Sequence, residues 1–428
     1  MKSGATETSY MYLQEHYKFP DNVFVSHLPD QIKLSDHPYK ILWAHHAYDQ
    51  HLFFEFDHNT VDHIVSPSEW NRQKFIRIHK VPEDKISVIP NGVAEMFSYS
   101  DKKTKSMIYT SIPYKGLEVL AKVIPLVHKK HPDTTFKIFS SMSLYGDDQL
   151  DTYIDTYDLL KSLPNVEYSR ATDREKLVEH YQEAAFFVHP NKWEETFCVS
   201  MTEAMRCGAY PIVTNIGALA EVAGENNAQI VPIEGKHTNK GYEVTDNFIN
   251  NFAETCCLIL DHYDKDKSYH KQVSKRISDY VIEKYNWKII SDQWKTLIHR
   301  ITGESITMTT ESNENIVETT ANRQTSMLPY DPINAHQAVT DEDYLQTASE
   351  NVFRWEQSDR EMAQGRTNFQ LEKFIGLNTH NVSVTFEHIL KERRIMASGY
   401  MQKLIEMKER VREFDWKWAN HEDKSAPL

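Results

Sequence analysis

The chain has 428 residues, 40% of them hydrophobic and 26% charged, enough for two or three domains with cores of their own. A formal net charge of −14 argues against a broad nucleic-acid surface, because phosphate binding needs an excess of Lys and Arg; a local basic cleft stays open. No apolar run approaches the roughly 18 residues of a membrane span, and the polar first 17 residues lack the apolar stretch of a signal peptide. Cys198, Cys207, Cys256 and Cys257 have neither zinc-knuckle nor disulfide-framework spacing. The expectation is a cytoplasmic protein with reduced thiols and no transmembrane segment.

In chain order, residues 1–98 hold apolar runs of strand length at 23–25, 41–44, 63–65 and 86–89, separated by polar stretches with helical spacing such as 69–79. Strands alternating with helices predict a parallel α/β sheet. After the charged break at 100–105, residues 99–301 repeat the pattern, with strands at 107–109, 136–139, 166–168, 185–188, 211–213 and 229–231, each followed by a helical pattern. This is a doubly wound domain, with ligands expected at the carboxyl ends of its strands. Residues 302–340 turn to Thr, Ser, Asn and Glu with few large apolar side chains and read as a flexible linker. Residues 341–428 read as helical. Phe386, Leu390, Ala397, Tyr400, Leu404, Met407, Val411, Phe414 and Trp418 follow three- and four-residue steps, with Arg393 the one break. This seam, 386–418, suits either an intramolecular hairpin or a coiled coil with a second copy or a protein partner.

The stretch 187–208, FVHPNKWEETFCVSMTEAMRCG, reads as a buried strand ending at Pro190, a polar loop, and a helix over about 198–207 closed by Gly208. A strand over 210–214 completes a β-loop-α-β unit. Free backbone N–H groups at such a helix start favour a diphosphate. Glu195 lies in the loop and Glu203 two turns into the helix, a separation that puts both on the cleft side. Carboxylates accept hydrogen bonds from paired sugar hydroxyls. Two acids also suit glycoside hydrolysis, and a solvated helix face is the plainest alternative.

Glu195 to Glu203, in the setting P…W-E-E-T-F-C…E-A-M…G, resembles the E-x7-E signature of the retaining GT-B glycosyltransferases of family 4. The resemblance implies two Rossmann-like domains facing a cleft, here followed by the all-helical extension. It implies that Glu195 contacts sugar hydroxyls and Glu203 the nucleotide ribose, with backbone amides of Thr196, Phe197, Cys198 and Val199 near sugar and phosphate. Residues 215–222 resemble the family's G-G-x-x-E turn and helix. Residues 109–120 resemble its diphosphate-gripping strand-loop-helix, which implicates Ser111 and Lys115. The family often carries an Arg a few residues earlier, where this chain has Tyr109, Thr110 and Ser111, so charge neutralisation rests more on Lys115.

Residues 90–93, P-N-G-V, resemble the interdomain hinge, implicating Asn91 and Gly92, and Ser66-Pro67-Ser68-Glu69 resembles the S-E loop facing the cleft. Residues 40–50 resemble the strand that ends in a His near the reacting sugar. Either His45 or His46 fits and His45 is favoured, with Asp49 a lesser candidate for orienting it. Arg170 to Arg174 fall where the family's loop meets the nucleobase, with Arg170 taken as the contact. Tyr285-Asn286-Trp287 resembles the start of the closing helix that crosses back to the first domain. Gly4-Ala5-Thr6-Glu7 resembles the Gly-rich turn that follows the first strand, yet only Met1, Lys2 and Ser3 precede it; the expectation is a first domain short by about a strand.

The resemblance covers about residues 3–300. It implies sugar transfer with retention from a UDP-, GDP- or other nucleotide sugar to a hydroxyl of a glycan, glycoconjugate or small molecule. No cofactor and no metal are expected: the Asp-x-Asp of metal-dependent transferases follows a strand, whereas Asp264-Lys265-Asp266 follows a helical run and reads as surface. Two alternatives remain. One is a sugar transferase acting on a hydroxylated DNA base, against which the charge of −14 weighs. The other is a catalytically degenerate scaffold presenting the helical tail.

Overall fold

The computed structural model describes residues 5–46, 56–142, 151–170, 172–238 and 241–303. Asp49, the expected linker beyond Gly303 and the expected helical extension, with its seam at 386–418, lie outside the described residues.

The first layer runs α1 (Ala5–His16), β1 (Val23–Ser26), α2 (Pro29–Leu34), β2 (Tyr39–Trp43), β3 (His63–Ser66), α3 (Glu69–Ile78) and β4 (Ile86–Val88). Its four strands pair in chain order, all parallel. Successive side chains of a strand point to opposite faces, and both faces here are covered. Ile41 and Trp43 join one apolar cluster with Leu13, Trp287 and Trp294, while Leu42 and Ala44 join another with Ile32 and Phe75. Burial on both sides explains why these strands read as continuous apolar runs. The GATE segment expected as a turn differs in part: Ala5 opens α1.

The second layer runs β5 (Thr104–Thr110), α4 (Leu117–Lys130), β6 (Thr135–Phe139), α5 (Ile154–Ser162), β7 (Val166–Ser169), α6 (Arg174–Glu183), β8 (Ala184–His189), α7 (Val199–Arg206), β9 (Tyr210–Thr214), α8 (Leu219–Ala223) and β10 (Gln229–Val231). Then come β11 (Gly235–Thr238), β12 (Gly241–Val244), α9 (Asp246–Lys265), α10 (Lys267–Lys284) and α11 (Trp287–Thr302). A helix was expected straight after β10; the antiparallel hairpin β11–β12 stands there instead. The six-stranded sheet has the order β10-β9-β8-β5-β6-β7, all parallel. The chain leaves β5 in one direction and returns at β8 to continue in the other. The carboxyl ends of β5 and β8 therefore flank a topological switch point, where open α/β sheets place their ligands.

α11 ties the two layers together. Asn286 caps it, accepting from Lys288 N, and Val93 N donates to Tyr285 O at 2.7 Å. Trp287, Ile290, Trp294, Leu297 and Ile298 recur at three- and four-residue steps and bury one helix face against the first sheet. The Trp43 and Trp294 rings meet edge-on at 5.1 Å.

Candidate active site

Two loops meet at the switch point. After β5 the chain makes a 3₁₀ turn, Pro113–Lys115, and reaches Gly116 at φ +133 before α4 begins. A Cβ on Gly116 would meet Pro190 O at 2.3 Å, so the approach of this turn to the loop after β8 depends on glycine. Lys192 N donates to Lys115 O at 3.2 Å, and Lys115 Nζ lies 2.7 Å from Glu195 Oε1. The residues are 80 apart in sequence. The Glu195 side chain is 8% exposed.

The Glu195 loop is pinned on all sides. Asn191 Oδ1 accepts from Trp193 N at 3.1 Å, and Thr214 Oγ1 donates to Asn191 O at 2.8 Å. Ala218 N donates to Glu195 O at 2.8 Å. Gly217, at φ +66, presses on the same segment; its Cβ would meet Glu195 O at 2.3 Å. The hairpin adds a further wall through Tyr242 N, which donates to Lys192 O at 2.8 Å.

Burial works to push the Glu195 carboxyl up, but the Lys115 ammonium, with help from His189, holds it down at about 2. It is ionised at neutral pH. His189 Nε2 lies 3.7 Å from Glu195 Oε1 with no exposed side-chain surface. Burial holds the His189 imidazole below its ordinary value against the pull of Glu195. Cys198 takes the left-handed conformation at φ +67 and caps α7. Burial, followed by the Glu195 charge, pushes its thiol up to about 12, so it is neutral. The ligand atoms of His189, Glu195 and Cys198 lie within 4.8 Å of one another, but Lys115 already neutralises the carboxylate, and a cation would have to displace it.

Glu203 is 3% exposed and accepts from Arg174 Nη2. Burial pushes its carboxyl up, with Arg174 opposing. The guanidinium lies 5.3 Å from the Phe97 ring centroid and 5.7 Å from that of Tyr12 on α1. The arginine that meets Glu203 is thus Arg174, at the start of α6. Arg170, expected to contact the nucleobase, is exposed just beyond β7. A buried carboxylate calls for a cationic partner, and Arg174 supplies it.

Across the cleft, Thr196 Oγ1 donates to His45 O at 2.8 Å. His45 is half-buried, its ring 4.4 Å from Trp43, and its Nε2 makes no hydrogen bond among the described residues. Burial, then the neighbouring His27 and His46, lower its pKa well below the ordinary value, leaving it neutral. Phe197 is buried edge-on against Tyr285 at 5.3 Å, and Val199 opens α7. Ser111 follows β5, its carbonyl accepting from Ser140 Oγ at 2.6 Å. Asn91 is buried, with Oδ1 making no hydrogen bond among the described residues. Gly92 faces the closing helix, since a Cβ there would meet Trp287 Cδ2 at 2.4 Å.

The family profile described as "Glycosyltransferase Family 4" matches residues 15–95, and that described as "Glycosyl transferases group 1" matches residues 96–276. Together they take in both sheets and the whole of this site. The chain belongs to the group 1, family 4 glycosyltransferases of the GT-B fold. This glycosyltransferase is 24% identical over 260 residues to the phosphatidylinositol N-acetylglucosaminyltransferase gpi3 subunit of Schizosaccharomyces pombe, covering 59% of this chain and 51% of that protein. A human phosphatidylinositol N-acetylglucosaminyltransferase subunit shares 25% identity with it over 173 residues, covering 39% of this chain and 34% of the human one. The glycosyltransferase thus spans about half or less of the length of these relatives. A solved structure similar to it is the pneumococcal O-GlcNAc transferase GtfA in complex with UDP and GlcNAc, at 17% identity and TM-score 0.47, covering 62% of this chain and 53% of that one. Among the described residues no helix is long and apolar enough to cross a membrane.

Proposed function

We propose that this glycosyltransferase moves a sugar from a nucleoside-diphosphate donor to an acceptor hydroxyl with retention of configuration and without a metal ion. The observation that carries this reading is the Lys115–Glu195 pair at the switch point, with Glu203 two turns into the adjoining helix. On this reading Glu195, held ionised, accepts hydrogen bonds from the sugar hydroxyls. Lys115 and the backbone N–H groups that open α7 neutralise the diphosphate. Glu203 takes the ribose hydroxyls, with Arg174 fixing its carboxylate.

In the transfer, the bond from sugar C1 to the diphosphate oxygen breaks. The acceptor oxygen bonds to C1 on the same face, and its proton passes to the departing phosphate oxygen. The protein contributes positioning and electrostatic stabilisation. Neutral His45, on the opposite wall, is suited to a hydrogen bond with the reacting sugar. The names of the relatives supply a first donor and acceptor to try: an N-acetylglucosaminyl nucleotide and phosphatidylinositol.

The test is a panel of nucleotide sugars scored by thermal stabilisation, by hydrolysis, and by the anomeric configuration of the product in proton NMR. One donor should stabilise the fold and yield product of unchanged configuration. Inverted product would overturn retention, and absence of binding across the panel would overturn the donor class.

A further inference from the structure

Glu221 lies on α8, in the second layer, yet its carboxylate reaches the first. Oε1 accepts from Glu69 N at 2.7 Å and Oε2 from Trp70 N at 2.9 Å. These two residues open α3, where backbone N–H groups have no acceptor within the helix and the helix dipole favours an anion. One carboxylate thus grips two donors across the cleft.

Both ends of this grip lead to the reacting residues. On the Glu221 side, α8 follows directly on the Gly217–Ala218 turn, which packs against Glu195 and donates Ala218 N to Glu195 O. On the α3 side, buried Asn71 donates Nδ2 to Ala44 O at 2.9 Å, the carbonyl just before His45. Thr196, next to Glu195, donates to His45 O. The contacts form a closed ring: Glu195, the 217–218 turn, Glu221, α3, Asn71, the Ala44–His45 segment, Thr196 and back to Glu195.

We infer that Glu221 is a positioning residue that sets the His45 wall of the cleft against the Glu195 wall for transfer. The inference rests on the proposed function, and only Glu221 in the ring spans the layers through a side chain that belongs to neither wall. Removing it leaves the Lys115–Glu195 and Arg174–Glu203 pairs intact, so donor binding survives while the two walls lose their relative placement. Misplacement of about 1 Å is enough to slow a reaction by roughly a hundredfold.

The test compares Glu221→Ala and Glu221→Gln with the wild-type full chain. The kcat for transfer should fall roughly ten- to a hundredfold in the alanine variant, with nucleoside diphosphate affinity by calorimetry unchanged within about twofold. The glutamine variant, which keeps one acceptor oxygen, should fall between. Amide exchange at Glu69 and Trp70 should quicken in the alanine variant, a readout that needs no turnover. A wild-type kcat, or a parallel loss of diphosphate affinity, overturns the inference. If the wild type turns over no nucleotide sugar, the proposed function fails, while unchanged amide exchange would separately refute the grip of Glu221 on α3.

Discussion

Replacing Lys115 with methionine keeps most of the stem and removes the charge, which isolates the ion pair with Glu195. The drop of the Glu195 carboxyl from its ordinary 4.5 to about 2 corresponds to about 3 kcal/mol of folded-state stability at neutral pH. Breaking a buried pair from one side costs about 3–5 kcal/mol by a separate route, so the two magnitudes agree. The sign follows from the depressed pKa: the stabilisation is fully present above the unfolded value and is lost as pH falls toward about 2. In the variant, burial acts on Glu195 with only His189 to oppose it, and the carboxyl protonates at higher pH. Urea unfolding across this range should therefore show the variant at least about 3 kcal/mol less stable at neutral pH, with the gap closing toward pH 2. Transfer should collapse at every pH, because the leaving diphosphate loses its cation. A variant as stable as the wild type at neutral pH, or one that keeps its turnover, would refute the reasoning.

Glu203→Ala strands the Arg174 guanidinium and should cost about 3–5 kcal/mol in urea unfolding and at least about tenfold in nucleoside diphosphate affinity by calorimetry; the pair Glu203→Gln with Arg174→Gln should recover stability without recovering affinity. Turnover should persist in excess EDTA, since Lys115 already pairs with the one carboxylate in the cluster of candidate ligands found among the described residues; complete loss on chelation, restored by a divalent ion, would reject metal independence. Gly92→Ala should push Trp287 off the first sheet and lower stability by about 1–3 kcal/mol, and an unchanged urea midpoint would show that α11 gives way freely.

Strand positions were legible because burial on both faces leaves an apolar run that periodicity cannot disguise. The strands expected at 41–44, 107–109 and 185–188 all fall where strands form. The hairpin β11–β12 was not legible, since Gly235-Lys236-His237-Thr238 is partly exposed and carries no apolar alternation. Its anchor is a backbone contact with Lys192, which leaves no trace in side-chain pattern. The E-x7-E spacing located Glu195 and Glu203 correctly on loop and helix. It was silent on their partners, because ion pairs between residues 80 and 29 positions apart are set by strand order. Arg174 reaches the carboxylate because it opens α6, a boundary that the spacing of charges alone does not mark.

Strand order also explains why the site needs contributions from so many segments. A parallel sheet delivers every loop to its carboxyl edge, but only at the switch point do neighbouring loops diverge and leave a crevice. β5 and β8 are neighbours there, so the Lys115 turn and the Glu195 loop meet without any long-range side-chain reach. The first sheet offers a second carboxyl edge, at which His45 and the start of α3 lie. Nothing in either sheet fixes the distance between those edges. The task falls to α11, buried against the first sheet through Trp287 and Trp294, and to polar contacts across the cleft from Thr196 and Glu221. Apolar packing is short-ranged and tolerates little displacement, whereas an exposed polar contact such as that of Glu221 exchanges with water at small net cost. The chain thus joins its layers by apolar packing at the hinge and by a few polar contacts at the mouth, so a single side chain at the mouth carries more of the placement of the walls than any one residue of the hinge.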